Sequence, residues 1–179
     1  MAKKIDEKRR LSSIGTKTAE LLVKQIGHEL YNHNLYRTFA NYFAIKGLHK
    51  LEEYYTLRAG EELEHHTWIV ERLNYADVPY KYPVVHEVDV EIKNEEDTFI
   101  QTLDKEIETT NLIYEIVNSA KEEKDWETVY WLQETLVDEQ TEEEHISRKF
   151  LKIAKQDTDW ISKEEYILDA YNEAASEDN

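Results

Sequence analysis

Across residues 48–73 the apolar side chains return at the alternating three-and-four interval of a core-facing helix stripe, yet two members of that stripe are ionisable. Leu48, Leu51, Tyr55, Ala59, Ile69 and Leu73 are the apolar members, and Glu62 and His65 (or His66) stand where hydrophobes belong. Glu62 and His65 are three residues apart, so they lie one turn from each other on one face. Burying a lone carboxylate costs several kcal/mol even after relaxation, so this face calls for a charged partner or a metal. The same interruption recurs along the chain. Residues 13–45 carry the stripe Leu22, Ile26, Glu29, His33, Tyr36, Ala40 and Phe43, and residues 95–123 carry Phe99, Leu103, Glu106, Thr110, Ile113 and Val117. A fourth helix over 126–155 has Val129, Leu132, Leu136, Ile146, Phe150 and Ile153 on either side of the polar run 138–145. Acids at the middle of four apolar stripes constrain the chain to a bundle in which those acids meet.

The breaks between helices set the topology. Ser12 or Ser13 can cap the first helix, and Gly47 stops it, so helices one and two are expected to be antiparallel neighbours. Pro79 and Pro83 end the second helix, and no helical period returns before about Asn94. A connection of that length in a compact bundle serves to join two parallel helices from opposite ends. Lys124 and Asp125 mark a weaker break, and a short fifth helix from the cap Ser162 includes Tyr166, Ile167, Ala170 and Tyr171. The expected architecture is all-α: a four-helix bundle with a long crossover between helices two and three and a short fifth helix. It is one domain over 13–175, preceded by a charged extension over 1–12 and followed by a disordered tail over 176–179. Four glycines, two prolines and 34% charged residues fit an all-helical chain of this length.

Composition excludes several classes. Without cysteine there is no disulfide scaffold, zinc-thiolate site, iron–sulfur cluster or thiol nucleophile. No apolar run reaches the length of a membrane span, and the lysine- and arginine-rich start lacks the apolar core of a secretory signal, so a cytoplasmic protein is expected. A formal net charge of −17 with interspersed basic residues disfavours nucleic acid as a partner.

Glutamates from separate helices with one Glu-x-x-His pair are the arrangement a di-metal carboxylate site needs. Oxygen ligands with one imidazole suit iron or manganese. The plainer reading is that each acid lines a wet gap or pairs with a base, but only Arg58 and Arg72 stand at neighbouring stripe positions. The fourth helix leaves its register open: the apolar residues centre the stripe near Glu139, whereas the run 138–144 points to Gln140 and Glu143.

At Glu29-Leu30-Tyr31 with Asn34-Leu35-Tyr36, Glu61-Glu62-Leu63-Glu64-His65, Lys105-Glu106 and Val137-Asp138-Glu139-Gln140-Thr141-Glu142-Glu143-Glu144, the chain resembles the bacterial non-haem ferritins. The separations of 33 residues from Glu29 to Glu62 and 44 from Glu62 to Glu106 are similar to the family's, and the likeness spans about residues 18–172. The resemblance implies an iron-storage ferritin that oxidises Fe(II) with dioxygen or peroxide and stores ferric mineral inside a homo-oligomeric shell of 24 subunits. It implies that Glu29, Glu62 and His65 hold one iron, that Glu62, Glu106 and Gln140 hold the other, and that Tyr36 stands beside them to pass an electron. Glu61, Glu139, Glu142 and Glu143 match carboxylates that bind a third iron in some members, and the Gln140 register brings those four together.

Other readings separate on single residues. A bacterioferritin binds haem through a methionine on helix two, and the only methionine here is Met1, so no haem is expected. A rubrerythrin-like oxidase or peroxidase carries a second Glu-x-x-His; Glu142 and His145 have the spacing but lie a turn from the expected depth. DNA-binding miniferritins lack the Glu-x-x-His within the bundle. A non-catalytic acidic scaffold would take up no metal.

Overall fold

The computed structural model describes residues 12–177, with side chains to residue 174. Almost all of the expected N-terminal extension and the last two residues of the tail lie outside them. Helices α1 (Thr16–Lys46), α2 (His49–Tyr75) and α3 (Glu95–Glu122) are followed by a fourth rod in three pieces: α4 (Trp126–Leu132), a π-helical turn (Gln133–Val137) and α5 (Asp138–Ala154). Helix α6 (Trp160–Glu177) packs across the end of the bundle against α2 and α5. No strand occurs among the described residues.

Helix directions follow from the ion pairs at the rod ends. Lys17 at the start of α1 meets Glu122 at the end of α3 (3.0 Å), and Lys46 at the end of α1 meets Glu95 at the start of α3 (2.8 Å). Helix α1 is therefore antiparallel to α3. It is also antiparallel to α2, which folds back on it through Gly47, a residue in the left-handed region (φ 74°) that glycine tolerates without Cβ strain. Helices α2 and α3 thus run parallel, and residues 78–93 join them without regular structure. This is the expected crossover. Val78 and Tyr80 pack at one end of the bundle, and Val88, Val90 and Ile92 at the other.

Several helix starts differ from expectation because the caps come from elsewhere in the chain. Helix α1 begins at Thr16 rather than Ser12 or Ser13, and its first amides at Lys17 and Thr18 donate to the Glu123 carboxylate (3.2 and 3.0 Å). At the start of α2 the amide of Lys50 donates to Glu164 of α6 (2.9 Å). Asn94 and Asp125 cap α3 and α4 locally, and Asp159, not Ser162, caps α6.

The core is two apolar clusters with a polar layer between them. One gathers Phe39, Phe43, Tyr54, Tyr55, Phe99, Phe150 and Ile167, and the other Leu22, Ile26, Ile69, Leu73, Ile113, Leu132 and Leu136. Each fully buried side chain of this size contributes about 1.5–3 kcal/mol, which holds four rods together while the layer between them binds nothing apolar. The stripes shift slightly from those expected. Asn32 is buried in place of His33, Thr102 and Thr109 in place of Leu103 and Thr110, and Thr128 in place of Val129.

The π-turn resolves the register of the fourth rod. A π-turn takes one residue more than an α-turn, so the buried face runs Leu132, Leu136, Gln140, Glu143, Ser147, Phe150, Ala154. Glu139 is exposed, and Ile146 and Ile153 are only half-buried. The apolar residues before and after the turn belong to two helical registers offset by one.

Candidate metal centre

The polar layer is built by one or two residues from each rod. Glu29 (0% exposed) comes from α1, Glu62 (1%) and His65 from α2, Glu106 (0%) from α3, and Gln140 and Glu143 from α5. Ligand atoms of Glu29, Glu62 and His65 all lie within 4.8 Å of one another, and all three residues are buried. Both Glu62 oxygens and Oε2 of Glu29 receive no hydrogen bond. The other Glu29 oxygen accepts from Gln25 Nε2 at 2.7 Å, and His65 Nδ1 stands 3.7 Å from Glu62 Oε2. Three buried carboxylate oxygens without donors, converging on an imidazole, are placed as ligands for a cation.

The electrostatics of this half follow from burial and crowding. Burial, then the charge of Glu62, raises the Glu29 carboxyl well above the usual range. Burial alone would depress His65, but the negative charges of Glu143, Glu62 and Glu29 outweigh it and push the imidazole up to about 10. His66, the alternative on that turn, is only half-buried and faces Tyr82.

The other half is organised around Arg58, which is 2% exposed and which the sequence stripes place only as a neighbour. Its Nη2 donates to Glu106 Oε1 at 2.6 Å, and its Nη1 bridges Glu143 Oε1 at 2.8 Å and Glu61 Oε2 at 2.7 Å. Glu106 also accepts from the Tyr36 hydroxyl, and Gln140 Nε2 donates to its Oε2 at 2.9 Å. Although burial would raise it, Glu106 is held below the usual range by Arg58 first and then by Tyr36 and Gln140. Burial raises Glu143 well above that range, against the pull of Arg58. Burial and the Glu106 charge likewise push the Tyr36 phenol well up.

Outside the layer, Glu61, Glu64, Glu139, Glu142 and Tyr171 line a cavity of about 340 Å³ that opens from Arg58, His65 and Glu143. The four carboxylates expected to act together (Glu61, Glu139, Glu142, Glu143) do share this wall. The Tyr171 hydroxyl of α6 donates to Glu61. His145 is exposed, so the pair Glu142 and His145 does not form a second inward Glu-x-x-His. Besides Arg58, sequence reasoning missed Gln25, which orients Glu29, and Asn32, which donates to Thr109 at 3.2 Å beside the layer. Neutral polar residues are common on any helix, so nothing in their spacing singled them out.

Comparison with known proteins agrees with this architecture. A family model described as a ferritin-like domain matches residues 19–156. Among curated protein sequences none matches. Of the solved structures, an open-pore ferritin from the hyperthermophilic archaeon Archaeoglobus fulgidus is 28% identical with a TM-score of 0.80, covering 87% of this chain and 98% of that one. A closed form of the Archaeoglobus fulgidus ferritin, engineered by site-directed mutagenesis, is 27% identical with a TM-score of 0.80, covering 87% and 96%. A humanized archaeal ferritin is 26% identical with a TM-score of 0.79, covering 89% and 96%.

Proposed function

The chain belongs to the ferritin-like family, and from that premise we propose that it oxidises Fe(II) at the buried Glu29, Glu62, His65, Glu106 and Gln140 layer and stores the ferric product in a homo-oligomeric shell. The observation that carries this reading is Glu62: a buried carboxylate with both oxygens free of hydrogen bonds, and with a ligand atom within 4.8 Å of those of Glu29 and His65. In this reading Glu62 is shared by two irons, with Glu29 and His65 completing one set and Glu106 and Gln140 the other. Two Fe(II) together deliver two electrons to dioxygen, which takes up two protons to give hydrogen peroxide, or to hydrogen peroxide, which takes up two protons to give two waters. The carboxylates offset the charge gained as each iron becomes ferric. Tyr36, whose hydroxyl donates to Glu106, is proposed as the source of one further electron, with its phenolic proton, when dioxygen is reduced beyond peroxide.

Glu61, Glu139, Glu142 and Glu143, around the outer cavity, are proposed to receive iron on its way to or from this layer, as a third site. A shell of 24 subunits, a cytoplasmic setting and the absence of haem complete the reading. No helix among the described residues is long and apolar enough to cross a membrane. The test is Glu62→Ala. Stopped-flow oxidation of Fe(II) should slow by about a hundredfold or more, while light scattering finds the same particle as in the wild type. An unchanged oxidation rate would remove Glu62, and with it this site, from the chemistry.

A further inference from the structure

The metal-free layer already contains a cation. Glu29, Glu62, Glu106 and Glu143 are four buried carboxyl groups, which two divalent ions would balance if all four were ionised. In this structure the His65 imidazole lies on the Glu29 and Glu62 side, and the Arg58 guanidinium lies on the other. The guanidinium contacts Glu106, Glu143 and Glu61 and leaves Glu29 and Glu62 untouched. Both Glu106 oxygens are engaged: Oε1 accepts from Arg58 and Tyr36, and Oε2 accepts from Gln140. A second divalent ion entering with Arg58 in place would compete with these donors for Glu106 and face a like charge in a dry interior, where repulsion is weakly screened.

We propose that Arg58 holds the place of the second cation, so that the chain takes one divalent ion tightly at Glu29, Glu62 and His65 and admits the second only when Arg58 withdraws from Glu106. The side chain has a path. Its Nη1 is already bonded to Glu61, which is about one-third exposed (34%), and the cavity beside it is walled by Glu61, Glu139 and Glu142. A guanidinium that pivots on Glu61 into this cavity exchanges two buried carboxylates for outer ones and remains paired. The Tyr171 hydroxyl on Glu61 Oε1 leaves Oε2 to Arg58, so α6 fixes the pivot. Arg58 is thus a positioning residue that separates the affinities of the two sites. It also competes with iron for Glu61 and Glu143 at the outer wall.

This inference rests on the metal-binding reading above, and the test separates the two. Anaerobic titration of the assembled protein with Co(II), followed by its visible absorption and by calorimetry, should give one tight ion per chain and a second weaker by about tenfold or more. Arg58→Gln should bring the second ion to within a few-fold of the first, and Arg58→Lys, which keeps a cation, should retain the two steps. Two equally tight ions in the wild type would overturn the role of Arg58 and leave the iron chemistry standing. An Arg58→Gln isotherm identical to the wild type would overturn that role equally. Should Arg58→Gln fail to fold, Arg58→Met, which also removes the cation, serves in its place with the same two outcomes. A wild-type isotherm matched by Glu62→Ala would sink both readings.

Discussion

Gln140 illustrates how much a single atom decides in the polar layer. Its amide nitrogen donates to the Glu106 carboxylate and, at 3.2 Å, to the Glu106 backbone carbonyl. Gln140→Glu removes both donors and places a carboxylate against a buried carboxylate. The metal-free protein should lose about 2 kcal/mol or more of stability, and Co(II) should restore it. Denaturant melts with and without the ion measure this, and a variant as stable as the wild type without metal would mean that Gln140 does not face Glu106. At this scale the acids were legible because Glu29, Glu62 and Glu106 interrupt stripes that are otherwise apolar. Arg58 was not, since a long basic side chain on a helix face ordinarily turns its head to water. Only the packed layer fixes its guanidinium inward.

Among the elements, the π-turn at Gln133–Val137 and the distant cap on α1 carry separate expectations. Deleting Thr135 should convert the π-turn to an α-turn and leave Gln140 and Glu143 on the layer, because the turn accommodates one residue beyond the α-helical count. Far-ultraviolet circular dichroism should remain helical and both Co(II) ions should still bind. A deletion variant that loses the second ion would contradict the register. The turn itself was unreadable as a pattern, because the apolar residues on either side centre one stripe near Glu139 and the one-residue offset that brings Gln140 inward leaves no mark of its own. The caps were hidden for a different reason. Glu123 and Glu164 sit far in sequence from the helices they cap, whereas Gly47 and the two prolines act on their own neighbours and could be read directly. Glu123→Gln should cost about 1 kcal/mol. Gly15→Ala should cost a similar amount, because a Cβ there would stand 2.1 Å from the Glu123 carboxylate and push it off the α1 amides. The Thr18 hydroxyl and the two α1 amides hold the Glu123 carboxyl below its usual value despite partial burial. Its folded pKa lies under its unfolded one, so its contribution is complete above about pH 4.5 and fades as pH falls through the folded value. The difference between wild type and Glu123→Gln should shrink on acidification, and a constant difference from pH 7 to pH 3 would show that Glu123 does not cap as an anion.

For the molecule as a whole, the net charge of −17 is the property a cation meets first. Uptake of Fe(II) should slow by about tenfold between low and physiological salt, measured as the bimolecular phase in stopped flow. A rate indifferent to salt would mean that the acidic surface does not steer the ion. The order of rods, the crossover and the depth of the layer were legible because they follow from period, proline and the placement of acids. How the metal-free layer neutralises itself was not, because that depends on which charges touch. A crystal grown anaerobically with ferrous salt and measured at the iron absorption edge puts the metal centre to its sharpest test. The expected map has an anomalous peak among the Glu29, Glu62 and His65 ligand atoms; a map with those side chains apart and no iron between them would contradict it.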